Sequence, residues 1–197
     1  MFNPFRRAAP EEKAARNAAM QAGNDTARAG LLWKNGARLL ERKKPERAVE
    51  VMRQAYELEP SRLEGRLNLG AALFLSGQHA EAIGHFRYVL AFDPQSTMAL
   101  LNLAASLDAV GQLQESVDTL QLLVERRPTW RDAHYNLGVG LYKLKMYTEA
   151  QDALRAELKL NPEHQLARDL LNTIYRLPHL TPDERRARTE AMSNEEL

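Results

Sequence analysis

Three asparagines, Asn68, Asn102 and Asn136, stand 34 residues apart in this chain. A side-chain amide has one acceptor and two donors, so each can pair with both halves of a peptide group. Helices that pack as neighbours lie about 8–10 Å apart, and an extended strand rises about 3.3 Å per residue. Amides on successive helices would then meet roughly every third residue of an extended ligand. That is chemistry for gripping a backbone, not for breaking bonds. The five histidines are His79, His85, His134, His164 and His179. None pairs at i, i+3 or i+4 with another histidine or a carboxylate in a recognisable ligand pattern. The sequence has no Gly-rich phosphate loop and no serine set between glycines at an elbow. Glu11-Glu12 and Glu195-Glu196 read as solvated charge. No catalytic, cofactor-binding or metal-ligating set is expected, so the chain reads as a non-enzyme.

The 197 residues carry 27 basic and 26 acidic side chains, a formal charge of +1. That balance gives no electrostatic case for a nucleic-acid partner, whose binders show a basic excess. The lack of cysteine excludes disulfides, thiolate metal sites and a Cys nucleophile. No apolar run approaches the length of a membrane span. Arg6 and Arg7 have no apolar segment of a cleaved leader behind them. The expectation is a soluble, cytoplasmic protein.

The asparagines must be positioned by repeated elements. Leu67-Asn68-Leu69-Gly70-Ala71-Ala72-Leu73 returns as Leu101-Asn102-Leu103-Ala104-Ala105-Ser106-Leu107 and again as Tyr135-Asn136-Leu137-Gly138-Val139-Gly140-Leu141. A fixed period of 34 is the signature of a helix–turn–helix array. Numbering each repeat from Ala29, Leu63, Thr97 and Arg131, position 32 is always proline: Pro60, Pro94, Pro128 and Pro162. Position 11 is always leucine, and positions 8 and 20 are small. Positions 4, 7 and 11 make one amphipathic helix, and positions 20, 24, 27 and 28 make a second. Small residues at 8 and 20 let the two helices approach. Gly77 and Gly111 mark the turn between them in two repeats, and Lys43 and Lys145 take that place in the others. Proline at 32 stops the second helix.

This pattern resembles the tetratricopeptide repeat, for example in Leu100, Leu103, Ala104, Leu107, Ser116, Leu120, Leu123 and Pro128. It implies an all-α, right-handed solenoid of stacked antiparallel helix pairs. The expected organisation is an N-terminal arm and short helix over 1–28, then repeats 29–62, 63–96, 97–130 and 131–164. A capping helix over 165–177 and a polar tail helix over 178–197 follow. The short helix starts at Pro10 and is expected to end at Gly23, with Asn24-Asp25-Thr26 capping the next. Phe2 and Phe5 beside Arg6 and Arg7 are a frayed terminus or a docking or membrane-touching tip. Ser116 and Glu157 depart from the family pattern.

In this family positions 2, 5, 6, 9, 12 and 13 face a concave groove. The resemblance therefore implies a groove for a protein or peptide partner. Asn68, Asn102 and Asn136 would hold its backbone, a ladder similar to that in the repeats of the O-GlcNAc transferase. Leu67, Phe74, Leu101, Tyr135, Val139, Tyr142 and Trp33 would take apolar side chains, with Lys143 beside them. Trp33 is open to a second reading, packing on the N-terminal helix. The basic clamp of chaperone-adaptor members is missing: Trp33 and Ala37 stand where lysine and asparagine belong, and Met98 and Asn102 where basic residues belong. The expected function is a protein-interaction scaffold. The alternative is a self-associating assembly subunit, a homo-oligomer whose groove is filled by its own arm or another copy.

Overall fold

The protein is described here by a computed structural model over residues 10–177. The arm before Pro10 and the expected tail helix after Leu177 lie outside the described residues. Those residues form nine helices in two compact units, one ending at Phe92 and one beginning at Asp93. The first unit holds α1 (Pro10–Glu41), α2 (Pro45–Leu58), α3 (Leu63–Leu75) and α4 (His79–Phe92). The second holds α5 (Thr97–Ala109), α6 (Leu113–Arg126), α7 (Ala133–Lys143), α8 (Tyr147–Leu160) and α9 (Gln165–Tyr175). Within each unit consecutive helices pack on one another.

The expected break at Gly23 does not occur, because α1 runs unbroken from Pro10 to Glu41. The would-be caps work inside the helix instead. The Thr26 hydroxyl donates to the Ala22 carbonyl at 3.0 Å, and the Gln21 amide donates to Asp25 at 3.2 Å. Gly23 touches nothing and has no left-handed backbone. Glycine in a helix interior costs only about 1 kcal/mol against alanine, which the alanines around it offset.

Every turn inside a repeat is built the same way. Position 15 is left-handed in all four: Lys43 (φ 55°), Gly77 (81°), Gly111 (79°) and Lys145 (63°). The next residue's N–H then reaches back to the carbonyl of the position-11 leucine. These bonds are Lys44 to Leu39 (2.9 Å), Gln78 to Leu73 (2.8 Å), Gln112 to Leu107 (2.9 Å) and Met146 to Leu141 (3.0 Å). That is a Schellman closure, and it explains why the turn tolerates any side chain able to accept the left-handed backbone.

The prolines at position 32 follow the ends of α2, α4, α6 and α8. Their carbonyls are captured by side chains. Arg66 donates to Pro60 at 2.6 Å, Arg168 to Pro162 at 2.6 Å, the His134 ring to Pro128 at 2.9 Å, and Arg126 to Pro94. His134 therefore caps a carbonyl as well as occupying a packing position.

The core repeats one contact. Position 8 lies against position 24. A Cβ on Gly70 would meet the Phe86 ring at 2.7 Å, one on Gly138 would meet Leu154 at 2.8 Å, and one on Gly36 would strike Met52. Phe86, Met52 and Leu154 are fully buried as a result. In the third repeat Ser116, a departure from the family pattern, donates its hydroxyl to the Ala104 carbonyl at 2.8 Å. A buried hydroxyl is tolerated because it is bonded.

Candidate functional site

The first unit presents Asn68 on α3, half-buried. It lines a cavity of about 270 Å³ with Trp33, Lys34, Arg62, Glu64 and Gly65. Trp33 matches neither sequence reading fully. It is 5% exposed and packs on α3, where a Cβ on Gly65 would come within 2.6 Å of the indole. Gly65 leaves room for the ring, so Trp33 is mainly core and shows the cavity only an edge. Its buried indole nitrogen has no hydrogen-bond partner among the described residues. Leu67 and Phe74 are half-buried on α3, and the Phe74 ring leans on His79 at 5.1 Å.

The second unit holds a cavity of about 160 Å³ that gathers four of the expected residues: Leu101, Asn136, Val139 and Lys143. Small side chains make the hollow: Ala104, Ala105, Ser116 and Gly140 line it. At its rim Lys143 donates to both Asp108 oxygens at 2.6 Å. Both partners are partly exposed, so the pair adds little stability, but it holds the lysine in place. Asn102 is half-buried on α5 but does not line this cavity. Tyr135 and Tyr142 have ring partners of their own, His164 at 4.6 Å and Tyr147 at 5.9 Å. The side-chain amides of Asn68, Asn102 and Asn136 make no hydrogen bond among the described residues.

One cluster escapes sequence reasoning. Ligand-type atoms of Asp132, Glu157 and His164 lie within 4.8 Å of one another. They come from the start of α7, the end of α8 and the cap of α9, so no short spacing announces them. Their bonds are structural. His164 Nδ1 accepts the Ala167 N–H at 3.2 Å and caps α9. The ring proton therefore sits on Nε2, which faces Asp132 at 3.2 Å. Glu157 is fully buried and accepts the Tyr135 N–H at 3.3 Å. This accounts for an acid at a position the family fills with small or apolar residues.

In the first unit burial, aided by the Arg66 guanidinium, pushes the His85 imidazole below its usual range. Arg66 itself lies over the Tyr88 ring at 3.4 Å and beside Tyr56 at 4.8 Å. The cation is held between two aromatic faces.

Three sequence profiles match the chain. Two describe the tetratricopeptide repeat, over residues 34–97 and 73–137. The third describes the Fis1 C-terminal tetratricopeptide repeat, over residues 131–176. No curated protein matches the sequence significantly. Among solved structures, the fold is similar to that of the MamA protein, with a TM-score of 0.73 and 20% identity over 88% of this chain and 93% of that chain. It is also similar to MamA residues 41 to the end from Desulfovibrio magneticus RS-1, with a TM-score of 0.72 and 23% identity over 86% and 96% of the two chains. At that identity the likeness is one of fold. The register of 34, the glycine-cradled core and the matching profiles agree: the chain belongs to the tetratricopeptide-repeat family, with four full repeats and a capping helix.

Proposed function

We propose that this protein is a non-catalytic scaffold that holds an extended peptide segment of a protein partner against its first-helix faces. Membership of the family makes it a protein-interaction module. The observation that carries the finer reading is the state of the position-6 amides. They are half-buried and make no side-chain hydrogen bond among the described residues. Half-buried polar groups that find no partner within the protein are suited to a ligand backbone. The apolar wall of the second-unit cavity, Leu101 and Val139 beside Asn136, supports the same reading. A pocket of this size takes one bulky aliphatic or aromatic side chain. Phe74, Tyr135 and Tyr142 are already engaged with rings of their own chain, so the cavity is the main apolar anchor.

The test is the affinity of a selected peptide for the wild type and for the Asn68→Ala/Asn102→Ala/Asn136→Ala variant, measured by calorimetry. At about 1 kcal/mol per amide the triple variant binds about a hundredfold more weakly. Ala105→Phe, which fills the cavity, abolishes selection of peptides bearing a bulky apolar residue. Unchanged affinity in both variants would move the binding surface off the first helices.

A further inference from the structure

The outward face of α1 carries a stripe of exposed apolar and basic side chains. Ala29, Trp33 and Gly36 are buried and set the inner side of this helix. Met20, Ala27, Leu31 and Arg38 recur at seven- and four-residue steps, which at 3.6 residues per turn places them on the opposite side, and Arg42 follows just past the helix end. All five are exposed, Met20 at 63% and Leu31 at 71%. The stripe runs into the α1–α2 corner, where Lys43, Lys44 and Arg47 are exposed too. Five cations and only two carboxylates, Glu41 and Glu46, thus share the ten residues from 38 to 47. The chain as a whole is nearly neutral, with a formal charge of +1, so charge is segregated to this edge. None of the five cations is in an ion pair among the described residues.

We propose that this face docks on an anionic lipid surface. Charge complementarity carries the assignment: clusters of four to eight Lys and Arg on a helix face bind acidic phospholipids. Two observations favour a membrane over a nucleic acid. Large apolar side chains, Met20 and Leu31, lie in line with the cations, where a headgroup layer would receive them. No exposed aromatic side chain stands on the stripe to stack a base, since Trp33 is buried. The residues before α1 continue the same chemistry in sequence, with Phe2 and Phe5 next to Arg6 and Arg7. A face of this kind would bring a peptide-binding scaffold to a membrane surface. Among the described residues no helix is long and apolar enough to cross one.

The experiment is flotation of the full chain with vesicles of phosphatidylcholine alone and of phosphatidylcholine with phosphatidylserine, at low and high salt. The expected result is binding to the serine-containing vesicles only, weakened by salt. Each cation near the surface is worth about fivefold in partitioning. Arg38→Gln/Arg42→Gln/Lys44→Gln therefore binds about a hundredfold more weakly, with its helical content and melting unchanged. Leu31→Ser lowers binding several-fold and leaves the salt dependence as it was. Equal binding of the wild type and the triple-glutamine variant would overturn the proposal. So would no binding to serine-containing vesicles, or tighter binding to an oligonucleotide than to vesicles. Binding lost through Phe2→Ser/Phe5→Ser but kept by the triple-glutamine variant would also overturn it, moving the contact to the terminal arm.

Discussion

Gly70 on α3 lies against the Phe86 ring of α4 so closely that a Cβ at Gly70 would stand 2.7 Å from it. Phe86 is fully buried, so its ring has nowhere to retreat. The same relationship joins Gly138 to Leu154 and Gly36 to Met52. It makes the glycine of the repeat a packing residue, not a flexible one.

Gly70→Ala should therefore destabilise the protein by about 1–3 kcal/mol, the usual cost of overpacking a filled core. Phe86→Leu in the same chain should recover part of that loss, which a double-mutant cycle in urea would read. Gly23→Ala is the control. Nothing lies near Gly23, and alanine there should stabilise α1 by up to about 1 kcal/mol. A loss of stability on Gly23→Ala would mean that α1 is broken after all.

Position 15 separates backbone conformation from packing. Nothing lies within 4 Å of a Cβ built on Gly77, so only its φ of 81° resists a side chain there. Gly77→Ala should cost roughly 1 kcal/mol, and Lys145→Gly should yield a gain of similar size, because an L-residue in the left-handed region is disfavoured by that amount. Opposite signs in denaturant midpoints are the expected outcome. A loss on Lys145→Gly would show that the lysine side chain contributes more than its backbone strain removes.

His85 gives the protein an acid sensitivity. Burial lowers its pKa below the ordinary 6.5, with Arg66 as a second cause. The unfolded chain then binds more protons than the folded one once the pH falls below that value. Stability is complete above it and declines as the pH drops toward the lowered folded pKa. Urea midpoints at about pH 8 and about pH 5.5 should differ more for the wild type than for His85→Phe, which has no proton to bind. Equal differences would place the acid sensitivity elsewhere.

Much of this molecule is legible in one dimension because each repeat is a local unit. The period of 34, the proline stops, the leucine at position 11 and the small residues at positions 8 and 20 all follow from contacts within one repeat. Spacing records such contacts directly. Gly77 and Gly111 announced their turns, whereas Lys43 and Lys145 concealed the same left-handed backbone, since lysine carries no signal for it. The break expected at Gly23 failed for a related reason: a single glycine is a weak stop when alanines flank it on both sides.

What needed three dimensions was the partnership of side chains far apart in sequence. The position-6 asparagines could be found by counting, but their lack of a partner among the described residues could not. Nor could the indole of Trp33, expected in the groove or on the N-terminal helix, be assigned to the space above Gly65. Asp132, Glu157 and His164 come together although no periodicity relates them, and Glu157 is a buried carboxylate that departs from the repeat pattern. Sequence alone determined the repeat, its helices and its turns, because those depend on near neighbours. Tertiary structure decided which polar groups are satisfied and which face outward, because burial and hydrogen bonding depend on residues brought together only by the fold.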